Sequence, residues 1–207
     1  MSKRRIGLVM MITGILALAA GLGLGGYNLW DNYRAGIQAA VIMDDIVQHQ
    51  EEATAAALDG GPEVSPDLSR EMQVLEIDGR RYIGTVSIPA IDIDLPVQES
   101  WSISLLRTAP CRYKGSVHDR DLIICAHNYV THFGRLKNLL TGDKVIFTDI
   151  DGNESCYTVV DLEILSGTAI EEMESGAWEL TLFTCTLGGQ MRVTVRCELL
   201  EAESASL

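Results

Sequence analysis

The stretch TLFTCTLGGQMRVTVR, Thr181 to Arg196, leaves little freedom in how it folds. Both arms are rich in β-branched and apolar residues and Gly188-Gly189 lies between them, which is the composition of two antiparallel strands joined by a tight turn. If Cys185 stands opposite Arg192, the same register sets Leu182 against Val195, Thr184 against Val193 and Leu180 against Cys197. Those pairs are mostly apolar and suit the buried face of a sheet. The other face then carries Phe183, Cys185, Arg192, Thr194 and Arg196. A slip of one residue would turn the arginines inward, and desolvating them disfavours it. The expected product is a thiol beside a guanidinium on a face that need not be core.

A cation beside a thiol favours the nucleophilic thiolate, and an arginine there is also placed to hold the oxyanion formed when a thiolate attacks a carbonyl. A proton carrier is missing from the hairpin. The run Asp121-Leu122-Ile123-Ile124-Cys125-Ala126-His127-Asn128 supplies one, because it reads as a buried strand that ends in histidine, as the other strand ends in Cys185. His118 and His132 are alternative bases, but neither ends an apolar strand. Asn128 follows His127 directly, so in an extended chain its side chain points the other way and cannot orient the imidazole.

These segments resemble the sortase family. Thr181-Leu182-Phe183-Thr184-Cys185 fits the TLxTC signature, Arg192 follows at the usual distance, and Ala126-His127-Asn128 is similar to the sortase histidine segment. Tyr82-Ile83-Gly84-Thr85-Val86-Ser87-Ile88-Pro89 and Leu95-Pro96-Val97 resemble the family's opening strands, so the resemblance runs from about Tyr82 to Leu200. It implies a cysteine transpeptidase in which Cys185 is the nucleophile, His127 the proton carrier and Arg192 the group that binds the substrate backbone or oxyanion, with help from the Thr186 N–H. It also implies that an exported protein with an LPxTG-like sorting signal forms a thioacyl-enzyme, which an amine acceptor, a peptidoglycan precursor, then resolves. No cofactor is implied.

Lys3-Arg4-Arg5 precedes an apolar run from Ile6 to Gly26, long enough at about 1.5 Å per residue to span a hydrocarbon core of roughly 30 Å. The basic flank places the N-terminus in the cytoplasm and the remainder outside. A cleaved signal peptide ending near Ala17-Leu18-Ala19 is the competing reading, but the run continues through Leu22 and Leu24. The net charge is −13 with the early basic cluster on the cytoplasmic side, so the exported part is strongly acidic and nucleic acid is not an expected partner. Leu29, Tyr33, Ile37, Val41 and Ile46-Val47 are spaced for one face of a helix, and Gly60-Gly61-Pro62 with Ser65-Pro66 reads as a linker. The expected organisation is a cytoplasmic flank over 1–5, a transmembrane anchor over 6–26, a helical stalk and linker over 27–75, the catalytic domain over 76–200 and a tail over 201–207.

Beyond the linker the pattern is β. Tyr82–Ile88, Ile91–Val97, Lys144–Thr148 and Cys156–Leu165 read as strands, with Asp151-Gly152 as a hairpin turn. Short helices are expected over Ser102–Arg107 and over Thr131–Leu140, where Phe133, Leu136 and Leu140 fall on one side. The expected fold is mainly β, a closed antiparallel sortase-type β-barrel with short connecting helices, preceded by a transmembrane helix and an N-terminal helical segment. The connection Leu165–Trp178 has no strand pattern of its own, and the sortase resemblance makes it one wall of the substrate groove. Ile170 and Met173 are then substrate contacts or simply pack the connection down, and Thr184 is a further candidate contact.

Five cysteines, at 111, 125, 156, 185 and 197, leave one or two disulfides open and at least one thiol, for which Cys185 is the choice. Cys125, Cys156 and Cys197 lie in apolar strands and read as small core residues. Cys125, His127 and His132 match no common metal spacing, so no metal is expected. Two other functions stay open: a pilin-polymerising sortase with a lysine acceptor, and a catalytically silent, membrane-tethered binding module. The first usually carries an Asp-Pro-aromatic lid and a C-terminal membrane span, neither of which is evident, and the second is free to lose the Cys, His and Arg that stand here.

Overall fold

The computed structural model describes residues 3–58, 71–176 and 178–200. The expected linker at Gly60–Pro66 and the tail from 201 lie outside the described residues. The chain divides into two units, residues 1–34 and 35–207, with a single helix, α1 (Lys3–Leu58), contributing to both.

In the first unit α1 is solvent-facing along its apolar run, with Leu16, Leu18, Leu22 and Leu24 all more than 60% exposed. Residues 6–52 form a helix long and apolar enough to cross a membrane, with a mean hydropathy of 2.2 in its most apolar window. Tyr27 and Trp30 follow with ring centroids 6.1 Å apart, and the Arg34 guanidinium lies 5.6 Å from the Trp30 ring. Aromatic and basic side chains of this kind are favoured where hydrocarbon gives way to headgroups.

In the second unit, eight strands close into a barrel. They are β2 (Arg80–Ile88), β3 (Ile93–Gln98), β4 (Cys111–Lys114), β5 (Leu122–Ala126), β6 (Lys144–Asp149), β7 (Glu154–Ser166), β8 (Leu180–Cys185) and β9 (Met191–Leu199). Around the ring the order is β2-β3-β4-β5-β8-β9-β7-β6, and β6 pairs back to β2. A short strand β1 (Leu75–Ile77) forms a hairpin on the outside of β2. The closed barrel is the architecture expected from the strand pattern, with one refinement: it is mixed, since β3–β4 and β5–β8 are parallel. The interior is filled by alternating side chains such as Val86, Ile88, Leu95, Val97, Ile124, Phe147, Leu182 and Val195. Two small elements escape the sequence pattern, β1 and β4, the latter joined to β3 only at Gln98↔Cys111.

Closure depends on Gly84. It sits at a register shift in β2 with φ +145, and a Cβ there would clash with the Thr148 carbonyl oxygen and lie 2.9 Å from Asp149 Cα. Only a residue without a side chain lets β6 approach that closely.

The connections hold helices of one or two turns, shorter than expected. Leu105–Arg107 and Phe133–Asn138 are 3₁₀, and α2 (Ile170–Met173) is a single turn. Phe133 and Leu136 are fully buried as expected, but Leu140 is 71% exposed. The 3₁₀ turn ends before Leu140, whose N–H is bound to the Asp143 carboxylate, so it no longer shares the apolar side.

The part of α1 in this unit packs on the barrel through Ala35, Ala39, Ile42 and Ile46. The stripe expected from the larger apolar residues was different: Ile37, Val41 and Val47 are exposed, and only Ile46 belongs to both. Small residues decide the face, since they let the helix backbone approach; a Cβ on Gly36 would already be 3.0 Å from Thr131 Cγ2. Ile42 and Ile46 meet Tyr82 and Ile150, flanked by Leu75 and Ile77 of the short outer strand, and Gln50 Nε2 donates to the Asp149 carbonyl at 2.7 Å.

Candidate active site

The site is built by one parallel and one antiparallel junction. β5 and β8 run side by side with Ala126 opposite Thr184, so the next residues, His127 and Cys185, leave the barrel together at the same rim. The β8–β9 hairpin has the expected register, Leu182↔Val195, Thr184↔Val193 and Leu180↔Cys197, and it sets Cys185 directly opposite Arg192. Imidazole, thiol and guanidinium therefore occupy three adjacent strands, each about 4.8 Å from the next in the pairing direction. Cys185, His127 and Arg192 are all half-buried.

Thr184 lies under this row and faces inward. It is 2% exposed and its hydroxyl donates to the Ala126 carbonyl at 2.8 Å. This fastens the histidine strand to the cysteine strand, so Thr184 is a tie and not a surface for a ligand. The Thr186 N–H is also engaged, donating to the Met191 carbonyl at 2.9 Å within the hairpin turn, so it is not an open donor for an oxyanion. Arg192 turns back on the same turn, with Nη1 donating to Gly189 O at 2.8 Å and Met191 O at 3.1 Å.

Arg196, two residues along the same face, has a different fate. It is 1% exposed, with Nε on the Glu163 carboxylate at 2.8 Å, Nη1 on Met173 O and Thr181 Oγ1 at 3.0 Å each, and Nη2 on Glu172 O at 2.6 Å. The face expected to stay outside the core is thus buried at this end, beneath the connection from β7 to β8. A guanidinium can be buried there because the connection supplies carbonyls in the geometry of its donors. Met173 belongs to that arrangement: it is 5% exposed and its sulfur lies 4.0 Å from Thr194 Oγ1. Ile170 is 58% exposed and remains available on the outer surface.

On the other side of Cys185 an aromatic row extends outward. Phe183, on the same strand face, meets Tyr113 edge-on at 5.3 Å, and Tyr113 lies 5.7 Å from Trp101. Trp101 and Tyr113 line an open groove of about 470 Å³ together with Glu99, Arg112 and Lys114. Sequence reasoning passed over this row, because its members come from three distant segments and nothing in their spacing links them.

The other thiols are of a different kind. Burial pushes Cys111 and Cys197 up to about 12 and raises Cys125 further, so these stay protonated. All five cysteines are thiols, and Cys156 is half-buried on β7, less enclosed than the core position expected for it.

His127 is backed by Tyr129 at 5.0 Å, and Tyr129 by His132 at 5.4 Å. His132 is fully buried with neither ring nitrogen hydrogen-bonded. Desolvation lowers it from 6.5 to about 4, the nearby His127 ring adds to the effect, and the Ala35 main chain lies close but out of hydrogen-bonding geometry. Above 6.5 the ring is neutral folded or unfolded. As pH falls from 6.5 toward 4 the unfolded chain takes the proton first, so stability declines by up to about 1.4 kcal/mol per unit, roughly 3 kcal/mol in all, and levels off below the folded value. Denaturant titrations from pH 7 to pH 4 are expected to lose this component in His132→Leu; an unchanged pH slope would contradict it.

Known proteins match this chain over most of its length. The family model described as Sortase domain matches residues 86–200. Sortase A of Bacillus anthracis is 29% identical over 197 residues, covering 89% of each chain. The solved sortase C of Streptococcus pneumoniae superposes with a TM-score of 0.54 at 22% identity, over 77% of this chain and 90% of that one. A sortase C of Clostridium perfringens, solved with the C-terminal cell wall sorting motif, has a TM-score of 0.53 at 20% identity and the same coverage. At such identities the structural likeness speaks for the barrel itself.

Proposed function

The chain belongs to the sortase family, and from that premise we propose that it cleaves an LPxTG-like sorting signal through a thioacyl-enzyme and transfers the acyl group to an amine, attaching exported proteins to the cell wall. One observation carries this reading: His127 and Arg192 flank Cys185 on either side at a single rim of the barrel.

In the first half-reaction the Cys185 thiolate, whose proton is held by His127, attacks the carbonyl carbon of the motif's threonine, and the electron pair of the C=O bond moves to oxygen. The Arg192 guanidinium receives that charge, the more so because the Thr186 N–H is bound elsewhere. As the tetrahedral species collapses, the C–N bond breaks and His127 gives its proton to the departing amine. In the second half an acceptor amine attacks the thioester, His127 takes the amine proton, and the thiolate leaves. The acceptor we favour is a peptidoglycan precursor; a lysine side chain would instead make the protein a pilin polymerase.

Sortases are membrane-associated, and the apolar helix over residues 6–52 is long enough to cross a bilayer. Lys3-Arg4-Arg5 at its start supports a single-pass topology with the N-terminus cytoplasmic and the barrel outside. There the site meets exported substrate and a lipid-linked acceptor on the same side.

Intact-mass spectrometry of the full chain in detergent with LPxTG-type peptides tests the reading. The expected result is an acyl adduct mapped to Cys185, absent in Cys185→Ala, which an added amine converts into a ligated peptide. A folded protein with a reduced Cys185 that forms no adduct and cleaves nothing across a broad peptide panel would favour a silent, tethered binding module.

A further inference from the structure

We infer that Gly167 is a positioning residue that seats the Arg192 guanidinium, an assignment that rests on the proposed role of Arg192. Gly167 follows the last residue of β7, and its N–H donates to the Gln190 carbonyl at 2.9 Å. The neighbouring register pairs are Ser166↔Met191 and Leu165↔Arg192, so this is where the β7 strand meets the start of β9. Its φ is outside the left-handed region, so the backbone conformation alone does not ask for glycine.

Space does. A Cβ at 167 would lie 3.3 Å from Arg192 Nη1, 3.4 Å from Nη2 and 2.8 Å from the Gln190 carbonyl oxygen. The guanidinium thus rests on the bare backbone of Gly167 while Nη1 is held from the other direction by Gly189 O and Met191 O. Two carbonyls hold one edge of the fork, and the missing side chain at 167 leaves room for both of its nitrogens. A methyl group there presses on the Gln190 carbonyl and makes the fork give by a few tenths of an ångström, and misplacement of a group that binds the oxyanion costs up to roughly 100-fold in rate when it reaches about 1 Å.

The test uses the full chain in detergent and two readouts. The first is kcat/KM for amine-dependent ligation of an LPxTG-type peptide, for wild type, Gly167→Ala, Arg192→Ala and the double variant. The second needs no substrate: the rates at which iodoacetate and iodoacetamide alkylate Cys185, resolved by peptide mass, since a guanidinium held beside the thiol favours the anionic reagent over the neutral one. Gly167→Ala is expected to retain a folded barrel by circular dichroism, to lower kcat/KM roughly 10–100-fold, to move the iodoacetate preference toward that of Arg192→Ala, and to add no further loss in the Arg192→Ala background.

A folded Gly167→Ala with wild-type kcat/KM and wild-type anion preference would overturn the inference, as would losses that multiply in the double variant. A chain that fails to fold with alanine at 167 whether or not Arg192 is present would assign the glycine to the Gln190 contact and overturn it equally. Wild-type turnover in Arg192→Ala would remove the role of Arg192 in the reaction, while the alkylation ratio would still decide whether Gly167 seats it.

Discussion

His127→Ala is expected to reduce amine-dependent ligation by roughly three orders of magnitude, within the range that a positioned general acid–base contributes, and to leave the melting temperature almost unchanged. The side chain is half-buried at a strand end, so its removal opens no core cavity. Its loss falls on two proton transfers, one to the leaving amine and one from the acceptor. Single-turnover mass spectrometry separates them: from a peptide the acyl-enzyme should form slowly, from an activated ester, whose leaving group needs no proton, it should form at close to the wild-type rate, and in both cases its resolution by the acceptor amine should be slow. A His127→Ala protein that ligates at more than about a tenth of the wild-type rate, against the general acid–base contribution, would pass the proton-carrier role to another group.

Gly84→Ala is expected to destabilise the barrel strongly. The cost has two parts, the left-handed φ of +145, worth about 1–2 kcal/mol for a residue with a Cβ, and the clash with β6 at Thr148 and Asp149. Together they reach roughly 3–5 kcal/mol, enough to lower the melting temperature by about 10 °C or more for a domain of this size. Gly142→Ala is the control, since Gly142 also has a positive φ, +96, but a Cβ there meets nothing within 4 Å. Thermal melts followed by circular dichroism should show a small shift for Gly142→Ala and a large one for Gly84→Ala. Equal shifts would mean that conformational strain accounts for everything and that barrel closure tolerates the extra carbon.

What could be read from the sequence follows the range of the physics involved. The Cys185 hairpin was legible because alternation, a Gly-Gly turn and the cost of burying arginines all act within a few residues, and the resulting register is the observed one. The parallel β5–β8 junction was not, because no local pattern states which distant strand lies alongside. His127 was matched to Cys185 because each ends an apolar strand and because the family resemblance joins them, not from any sign that the two strands pair. The helix face was misjudged because larger apolar residues were taken to mark the contact, whereas Ala35 and Ala39 make it by letting backbones approach. Arg196 was expected beside Arg192 on an open face; its burial depends on the carbonyls of Glu172 and Met173, which lie in an irregular connection that carries no periodicity. The Thr186 N–H looked available for the same reason, as its partner is set by the shape of the turn.

The parallel junction also governs when the chemistry can exist during the life of a chain. Fifty-eight positions separate Ala126 from Thr184, and everything from the 3₁₀ turn through β6, β7 and α2 must be made before the two strands can meet. Non-local pairings of this sort form late and slowly. A nascent polypeptide emerging on the way to its destination therefore keeps Cys185 and His127 apart. The proposed site comes together only when β8 and β9, the last strands among the described residues, slot between β5 and β7, so with the roles proposed for Cys185 and His127 a copy short of these strands has no means of cutting or joining the peptides it passes.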